Sequence, residues 1–503
     1  MQRREFLAGA ASAGAITMMA SSSAKGLPAD PTEMSASALS AAIRKKKISS
    51  REVMEAYLSR IKRINPAYNA IISTRDEDAL LAEAADADEA LAHGDYRGWM
   101  HGMPHAVKDL ANVKGMPTSY GSPLFAGTIA AEDDAAIARI RKAGAIFIAK
   151  TNTPEFGLGS QTYNPVFGAT GCAYDPSLTA GGSSGGAAAS LALHLVPVAD
   201  GSDMMGSLRN PGAYNNVIGF RPSIGRVPGE PGDEQFYSRL GVSGPMGRNV
   251  EDTIKLLCTM AGSAPFDPRS GFEDKLDVDA FRPKRFDEVK IGWLGDYGGY
   301  LETEPGILSR CEAGLAKMAS NGGVVEPVSA EFDMTRLWKT WLDLRNWSRV
   351  AFWPFYDDPK KRALMKPELN WEIEQSRSIT GADLYRAANT RSDWFRALNK
   401  LFDKYEFLAL PTAQVFSFSK ETHWPKSIND KAMDTYHRWM EVVIGPTLAG
   451  LPTANVPVGF DDRGRAMGMQ IFGRFGEDRA VLELASAYEG IVDWLSIRPK
   501  LPS

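Results

Sequence analysis

A single large α/β domain, with a central mixed β-sheet covered by helices on both faces, is the fold this 503-residue sequence predicts. Three observations point to it. Strand-like and helix-like segments alternate early in the chain, a glycine-dense block runs from residue 157 to 225, and short apolar runs near the C-terminus read as strands returning to the core sheet. No internal repeat or low-complexity linker divides the chain.

Taken in order, residues 35–91 carry a helical pattern. Met54, Tyr57, Leu58 and Ile61 recur at spacings of three and four behind a helix start at Ser49-Ser50. A second helix, rich in Ala, Asp and Glu, ends near Gly94. His105-Ala106-Val107 reads as a strand leading into Lys108, and Ala145-Ile146-Phe147-Ile148 as another, after a helix over residues 133–142. Beyond Pro228 the character changes. Eight of the eleven tryptophans lie between Trp338 and Trp439, in a helical region over about 330–440 expected on the substrate side. Most of those rings are expected to be core. Phe407-Leu408-Ala409-Leu410-Pro411 and Asn455-Val456-Pro457-Val458 then return as strands, so the catalytic core spans about 95–230 and 405–490 of a domain running 25–503.

Composition narrows the function. Apolar residues at 44% and charged residues at 23% are ordinary for a soluble globular chain. A formal charge of −4 leaves no footprint for nucleic acid, and the run Arg44-Lys45-Lys46-Lys47 reads as a solvated face. Cys172, Cys258 and Cys311 lack metal-ligand spacing and are expected as free buried thiols, with one disulfide as the alternative. Gly102 and Pro104 keep His101 and His105 off a regular helical ligand face. No metal and no cofactor is expected.

Gln2-Arg3-Arg4-Glu5-Phe6-Leu7 precedes an uncharged Ala/Gly-rich stretch, and Ser22-Ser23-Ala24 offers small residues for cleavage. Residues 1–24 therefore resemble a twin-arginine export signal, which implies a soluble periplasmic protein without a stable membrane span.

Two segments carry the strongest chemical signal: Gly181-Gly182-Ser183-Ser184-Gly185-Gly186 and Gly201-Ser202-Asp203-Met204-Met205-Gly206-Ser207-Leu208-Arg209. Glycines around a serine let the backbone turn tightly and aim its N–H groups at one point, as an oxyanion hole requires. A serine hydroxyl is a weak nucleophile until a neighbour takes its proton, and a lysine can do so only when neutral.

These segments resemble the defining stretch of the amidase signature family of serine hydrolases. Gly102-Met103-Pro104-His105-Ala106-Val107-Lys108-Asp109, Thr151-Asn152-Thr153-Pro154-Glu155-Phe156-Gly157 with residues 164–175, Gly219-Phe220-Arg221-Pro222-Ser223 with Gly225-Arg226-Val227, and Gly450-Leu451-Pro452-Thr453 through Gly473 extend the likeness along nearly the whole chain. By matching position, the resemblance implies a Ser-Ser-Lys triad. Ser207 is the nucleophile, Ser183 a bridging serine on a cis peptide, and Lys108 the base. Backbone N–H groups of Met204, Met205, Gly206 and Ser207 form the oxyanion hole, with Ser184, Asp203 and Arg209 in support. The implied reaction is hydrolysis of a small-molecule carboxamide by an acyl-enzyme route, with acylamidase as the reference activity. Aryl, fatty and small aliphatic amides all remain open, and a homodimer is the working expectation for quaternary state.

One departure stands out. The family has two glycines before the nucleophile, whereas here Met205 precedes Gly206, and Met205 is expected to project into the acyl site and narrow it. Ser202, in place of a common threonine, keeps the hydroxyl. Three other readings remain. Gly182-Ser183-Ser184-Gly185-Gly186 also fits the elbow of α/β-hydrolases, with Ser184 as nucleophile and His423 or His437 as its base. Ser417-Phe418-Ser419-Lys420 matches a penicillin-binding motif without its companions. A non-catalytic periplasmic binding protein, or a component of an amidotransferase complex, could use the same scaffold.

Overall fold

The computed structural model describes residues 28–230, 234–237, 240–272 and 274–501. The export signal expected over residues 1–24 lies outside them. Three helices open the described chain: α1 (Ala36–Arg44), α2 (Ser50–Tyr68) and α3 (Glu77–Ala92). At the start of α2 a reciprocal capping box joins Ser49 to Glu52, and at its end Asn69 takes a left-handed conformation that stops it. Its buried face carries the periodic Met54, Tyr57, Leu58 and Ile61, joined by Val53 and Ile64.

Strands β1 (Ile71–Ile72), β2 (Pro104–Lys108) and β3 (Ile146–Thr151) form a small sheet in the order β1-β3-β2, with α4 (Ala135–Lys142) in the crossover from β2 to the parallel β3. The early β–α–β alternation of the sequence is thus present, in a small sheet separate from the large one. β2 and β3 are short, buried along their whole length and parallel to one another, and such a pattern names no partner beyond the pair.

α5 (Gly185–Ala192) is buried on every face, because its glycines and alanines let other chain segments press against it. A Cβ on Gly186 would stand 2.3 Å from the backbone nitrogen of Asn152, so only glycine fits there. Next come β4 (Ala199–Asp203), α6 (Arg209–Tyr214), β5 (Ile218–Arg221), β6 (Val242–Gly247) and α7 (Val250–Met260). The chain continues through β7 (Lys290–Trp293), α8 (Ile307–Ser320), β8 (Val324–Pro327), α9 (Met334–Trp347), α10 (Pro367–Ser376) and α11 (Gly381–Phe402). It closes with β9 (Phe407–Pro411), α12 (Ile444–Ala449), β10 (Thr453–Phe460), β11 (Ala466–Phe472) and α13 (Asp478–Glu489).

The strands from β4 onward build one eight-stranded sheet in the order β8-β7-β9-β11-β10-β5-β6-β4. β7 pairs in parallel with β8 and β9, and the remaining pairs are antiparallel, so the sheet is mixed and flanked by helices as expected. The two C-terminal strand predictions are β9 and β10, both inside this sheet. β4 is an edge strand of the large sheet, and β2 of the small sheet packs against it. That junction brings Lys108, at the end of β2, beside the loop that follows β4.

Trp338, Trp341, Trp394 and Trp439 are buried in one apolar cluster with Leu337, Leu398 and Leu410, which bears out core for these four rings. All three cysteines are free; Cys172 and Cys311 are buried and Cys258 is half-buried.

Candidate active site

Lys108 is sealed from solvent and its Nζ meets three hydroxyls: Ser183 Oγ at 2.8 Å, Ser184 Oγ at 2.8 Å and Ser202 Oγ at 3.0 Å. Among the described residues no carboxylate lies within ion-pair distance of Nζ. Burial therefore dominates and pulls the lysine down to about 7, against the opposing pull of Asp200 and Asp203. Three neutral hydroxyls around Nζ offer an ammonium no opposite charge in exchange for its lost hydration, so burial favours the neutral amine.

Ser183 follows a cis Gly182–Ser183 peptide, matching the geometry that the family resemblance implies. Ser184 is fully buried behind it. Its Oγ contacts the carbonyl and N–H of Ser202, both at 3.3 Å, besides Lys108. The Ser184 N–H donates to the carbonyl of Ser207 at 3.2 Å, tying the two serine loops together. Ser184 is thus a bracing residue. Neither histidine that an α/β-hydrolase arrangement would use reaches it: His423 stacks on Tyr163, and His437 bonds Glu372 at 2.7 Å.

Ser207 lies between β4 and α6 at a narrow cavity of about 20 Å³. Met204, Met205 and Met440 supply its apolar wall, and Arg345, Tyr436 and His437 its polar wall. Gly157 lines the same cavity, and a Cβ on it would stand 3.4 Å from Ser183 Oγ, so Ser183 lies next to the Gly157 part of its wall. Met205 is buried and lines this cavity. Its backbone stays out of the left-handed region. The turn is made by Gly206 at φ +80°, where a Cβ would come within 2.9 Å of Val443.

One member of the expected oxyanion hole is corrected. The Gly206 N–H donates to Asp203 Oδ1 at 3.0 Å and is not available to a substrate. The N–H groups of Met204, Met205 and Ser207 have no protein acceptor among the described residues. The reason is local: Asp203 turns back over the loop, taking the N–H groups of both Gly206 and Leu208.

Asp203 is also the hub of a buried ion cluster. Arg209 grips both of its oxygens, at 3.0 and 2.9 Å, and Arg221 approaches Oδ1 at 3.3 Å. Burial alone would raise this carboxyl, but the two guanidinium groups outweigh it and hold Asp203 well below the usual carboxylate range. Arg209 then reaches Gln470 at 2.7 Å, Thr447 at 2.8 Å and the Val443 carbonyl at 3.0 Å, fastening the loop to β11 and α12. Asp203 and Arg209 thus hold the loop through buried contacts.

Sequence reasoning misses a second polar cluster. Glu372 on α10 is fully buried and accepts from Arg345 Nε at 2.7 Å and His437 Nε2 at 2.7 Å, with Tyr436 also bonded and Arg349 at 3.3 Å. The Trp-rich region thus reaches the Ser207 cavity through a charged network and Met440, while the four buried rings pack behind. Nothing in local sequence pairs Glu372 with partners that lie far from it along the chain. A separate cavity of about 540 Å³, lined by Leu344, Trp347, Phe395 and Leu448, holds none of the expected site residues. The described residues contain no cluster of metal-ligating side chains, and none of their helices is long and apolar enough to cross a membrane.

Known proteins share both the fold and this region of the chain. The family model described as Amidase matches residues 52–482. An acylamidase of Rhodococcus erythropolis is 29% identical over 477 residues, covering 93% of this chain and 97% of that protein. A glutamyl-tRNA(Gln) amidotransferase subunit of Coxiella burnetii is 31% identical over 486 residues, covering 91% and 97%. Among solved structures, a bacterial aryl acylamidase belonging to the amidase signature enzymes superposes with a TM-score of 0.84 at 26% identity, over 92% of this chain and 96% of that one.

Proposed function

This chain belongs to the amidase family, and on that premise we propose that it hydrolyses a carboxamide to carboxylate plus amine or ammonia through an acyl-enzyme on Ser207. The observation that carries the reading is the 2.8 Å contact between Ser183 Oγ and the Nζ of Lys108, a buried lysine without an ion-pair partner among the described residues, in a loop that the Ser184 N–H ties to the carbonyl of Ser207. Ser207 Oγ attacks the carbonyl carbon as its proton passes to Ser183, and the proton of Ser183 passes to Lys108. The negative charge that forms on the carbonyl oxygen is met by the N–H groups of Met204, Met205 and Ser207. Collapse breaks the C–N bond while the proton returns through Ser183 to the leaving nitrogen. Water then enters by the same proton path and releases the carboxylate. Esters of similar shape share the tetrahedral intermediate and react too.

An acylamidase-type activity is supported by the relatives of that name and by the narrow cavity with Met204, Met205 and Met440 in its wall. The amidotransferase relatives suit this chain less well, because paired Arg3 and Arg4 at its start fit export to the periplasm, away from aminoacyl-tRNA.

Fluorophosphonate labelling of fractionated cells tests the nucleophile and the address together. Label is expected on a shortened chain in the periplasmic fraction, absent from Ser207→Ala and retained in Ser184→Ala. Label that survives Ser207→Ala and vanishes with Ser184→Ala overturns the nucleophile assignment, and label confined to the full-length cytoplasmic chain overturns export.

The methionine wall makes a separate prediction. Met205→Ala removes three heavy atoms from the wall of a cavity of only about 20 Å³. The ratio of kcat/KM for a hexanoyl over an acetyl para-nitroanilide is expected to rise about tenfold. An unchanged ratio removes Met205 from the acyl site.

A further inference from the structure

Besides its contact with Ser183, Lys108 lines a second cavity of about 110 Å³, together with Asp200, Ser202, Ser243, Asp134 and Glu230, which shares no lining residue with the cavity at Ser207. Asp200 stands in its wall on β4. Its Oδ1 lies 3.0 Å from His105 Nε2, and its Oδ2 accepts the backbone N–H of Lys108 at 3.3 Å. His105 and Asp200 are both buried, and the other ring nitrogen of His105, Nδ1, has no partner among the described residues. The imidazole tautomer with its proton on Nε2 therefore makes the one hydrogen bond open to it, and Asp200 receives two donors as a carboxylate.

The charged surroundings are few. From β2 come His105 and Lys108, and from β3 comes Lys150, whose nearest carboxylate is Asp109 at 3.9 Å. Asp134 faces the cavity from the start of α4, and Glu230 from the chain after β5. Asp203, at the far end of β4, is committed to Arg209 and Arg221. Asp200 is the carboxylate among these that is bonded to the backbone of Lys108 itself.

We propose that Asp200, oriented by His105, is the positioning residue that sets the basicity of Lys108, its fixed negative charge keeping the buried lysine able to take a proton during acylation. Without it, desolvation would leave a neutral amine too weak a base for a serine hydroxyl. The opposing pulls on Lys108 agree with this, since Asp200 leads the groups that work against burial. The 110 Å³ cavity is roomy enough for several water molecules, which gives the lysine a route to exchange its proton away from the substrate. The inference rests on Lys108 being the base.

The test is the pH dependence of kcat/KM for a para-nitroanilide in the wild type, Asp200→Asn and Asp200→Glu, with folding checked by circular dichroism. Removing the negative charge disfavours the ammonium, so the acid limb of Asp200→Asn is expected about one pH unit lower, while Asp200→Glu returns it to the wild-type position. Asp200→Ser carries the same expectation if the asparagine variant does not fold. An unmoved acid limb in a folded neutral variant, with or without a uniform loss of rate, overturns the proposal and leaves the lysine base standing. A wild-type profile with no acid limb overturns both.

Discussion

Lys108→Ala is expected to lower kcat for a carboxamide by about ten-thousand-fold, because it removes the proton acceptor from both halves of the reaction. The fold should survive. Lys108 is a buried lysine without an ion-pair partner among the described residues, and its loss strands hydroxyls, not charges. The thermal midpoint is expected to stay within a few degrees of wild type, which separates a chemical defect from unfolding. The pH profile has a definite sign. Burial depresses Lys108 to about 7, so the neutral, competent form predominates above that pH and the ammonium below it. The rate is therefore expected to climb from acid to a plateau, and two units below the midpoint it should lie about a hundredfold under that plateau. Stopped-flow or plate assays across this range decide the matter. A rate that stays level through about pH 5, or a Lys108→Ala variant within about tenfold of wild type, removes lysine as the base.

Lys108 is legible in the sequence because its setting is local: a short apolar strand ends in a lysine where a core residue would be expected. Ser183 and Ser207 are legible for a similar reason, since glycines crowd around each of them. What those motifs do not show is how the loops are tied. Ser184 and Ser202 share the lysine with Ser183, and Asp203 consumes the Gly206 N–H that the family resemblance gives to the oxyanion hole. Both facts depend on side-chain direction in a tight turn, which residue type does not determine.

Sheet membership is hidden for another physical reason. A fully buried strand such as Pro104–Lys108 has no polar face to fix its register or partner, so a pattern of hydrophobic residues is equally compatible with either sheet. The clusters built on Asp200 and Glu372 are the deepest omissions. His105 and Asp200 lie 95 positions apart and Glu372 and His437 lie 65 apart, so only the assembled fold places them together. The tryptophans between 338 and 439 are the conspicuous feature of that region, yet four of them serve as core behind a polar wall that is inconspicuous in sequence.

The second large effect belongs to Asp203, and it is one of stability as well as rate. Asp203→Ala leaves Arg209 and Arg221 buried at a site where their shared carboxylate is gone. Breaking a buried ion pair from one side costs about 3–5 kcal/mol, far more than the pair itself contributes over a well-packed apolar replacement. Urea unfolding is expected to show a loss of that size, against a smaller loss for Arg221→Met, which retains the two-pronged contact of Arg209 with Asp203. Acid sensitivity has a matching sign. The folded carboxyl is held below its unfolded value, so its contribution is complete above about pH 4 and is lost as the pH falls through the lower folded value. The wild type should therefore lose this contribution in acid while Asp203→Ala, which has none to lose, shows a flatter stability profile there. Residual folded Asp203→Ala should also be slow, because Arg209 no longer joins the loop to β11 and α12 through a fixed anchor. An unfolding midpoint and a turnover number both equal to wild type would show that the loop carrying Ser207 is held by something other than this cluster.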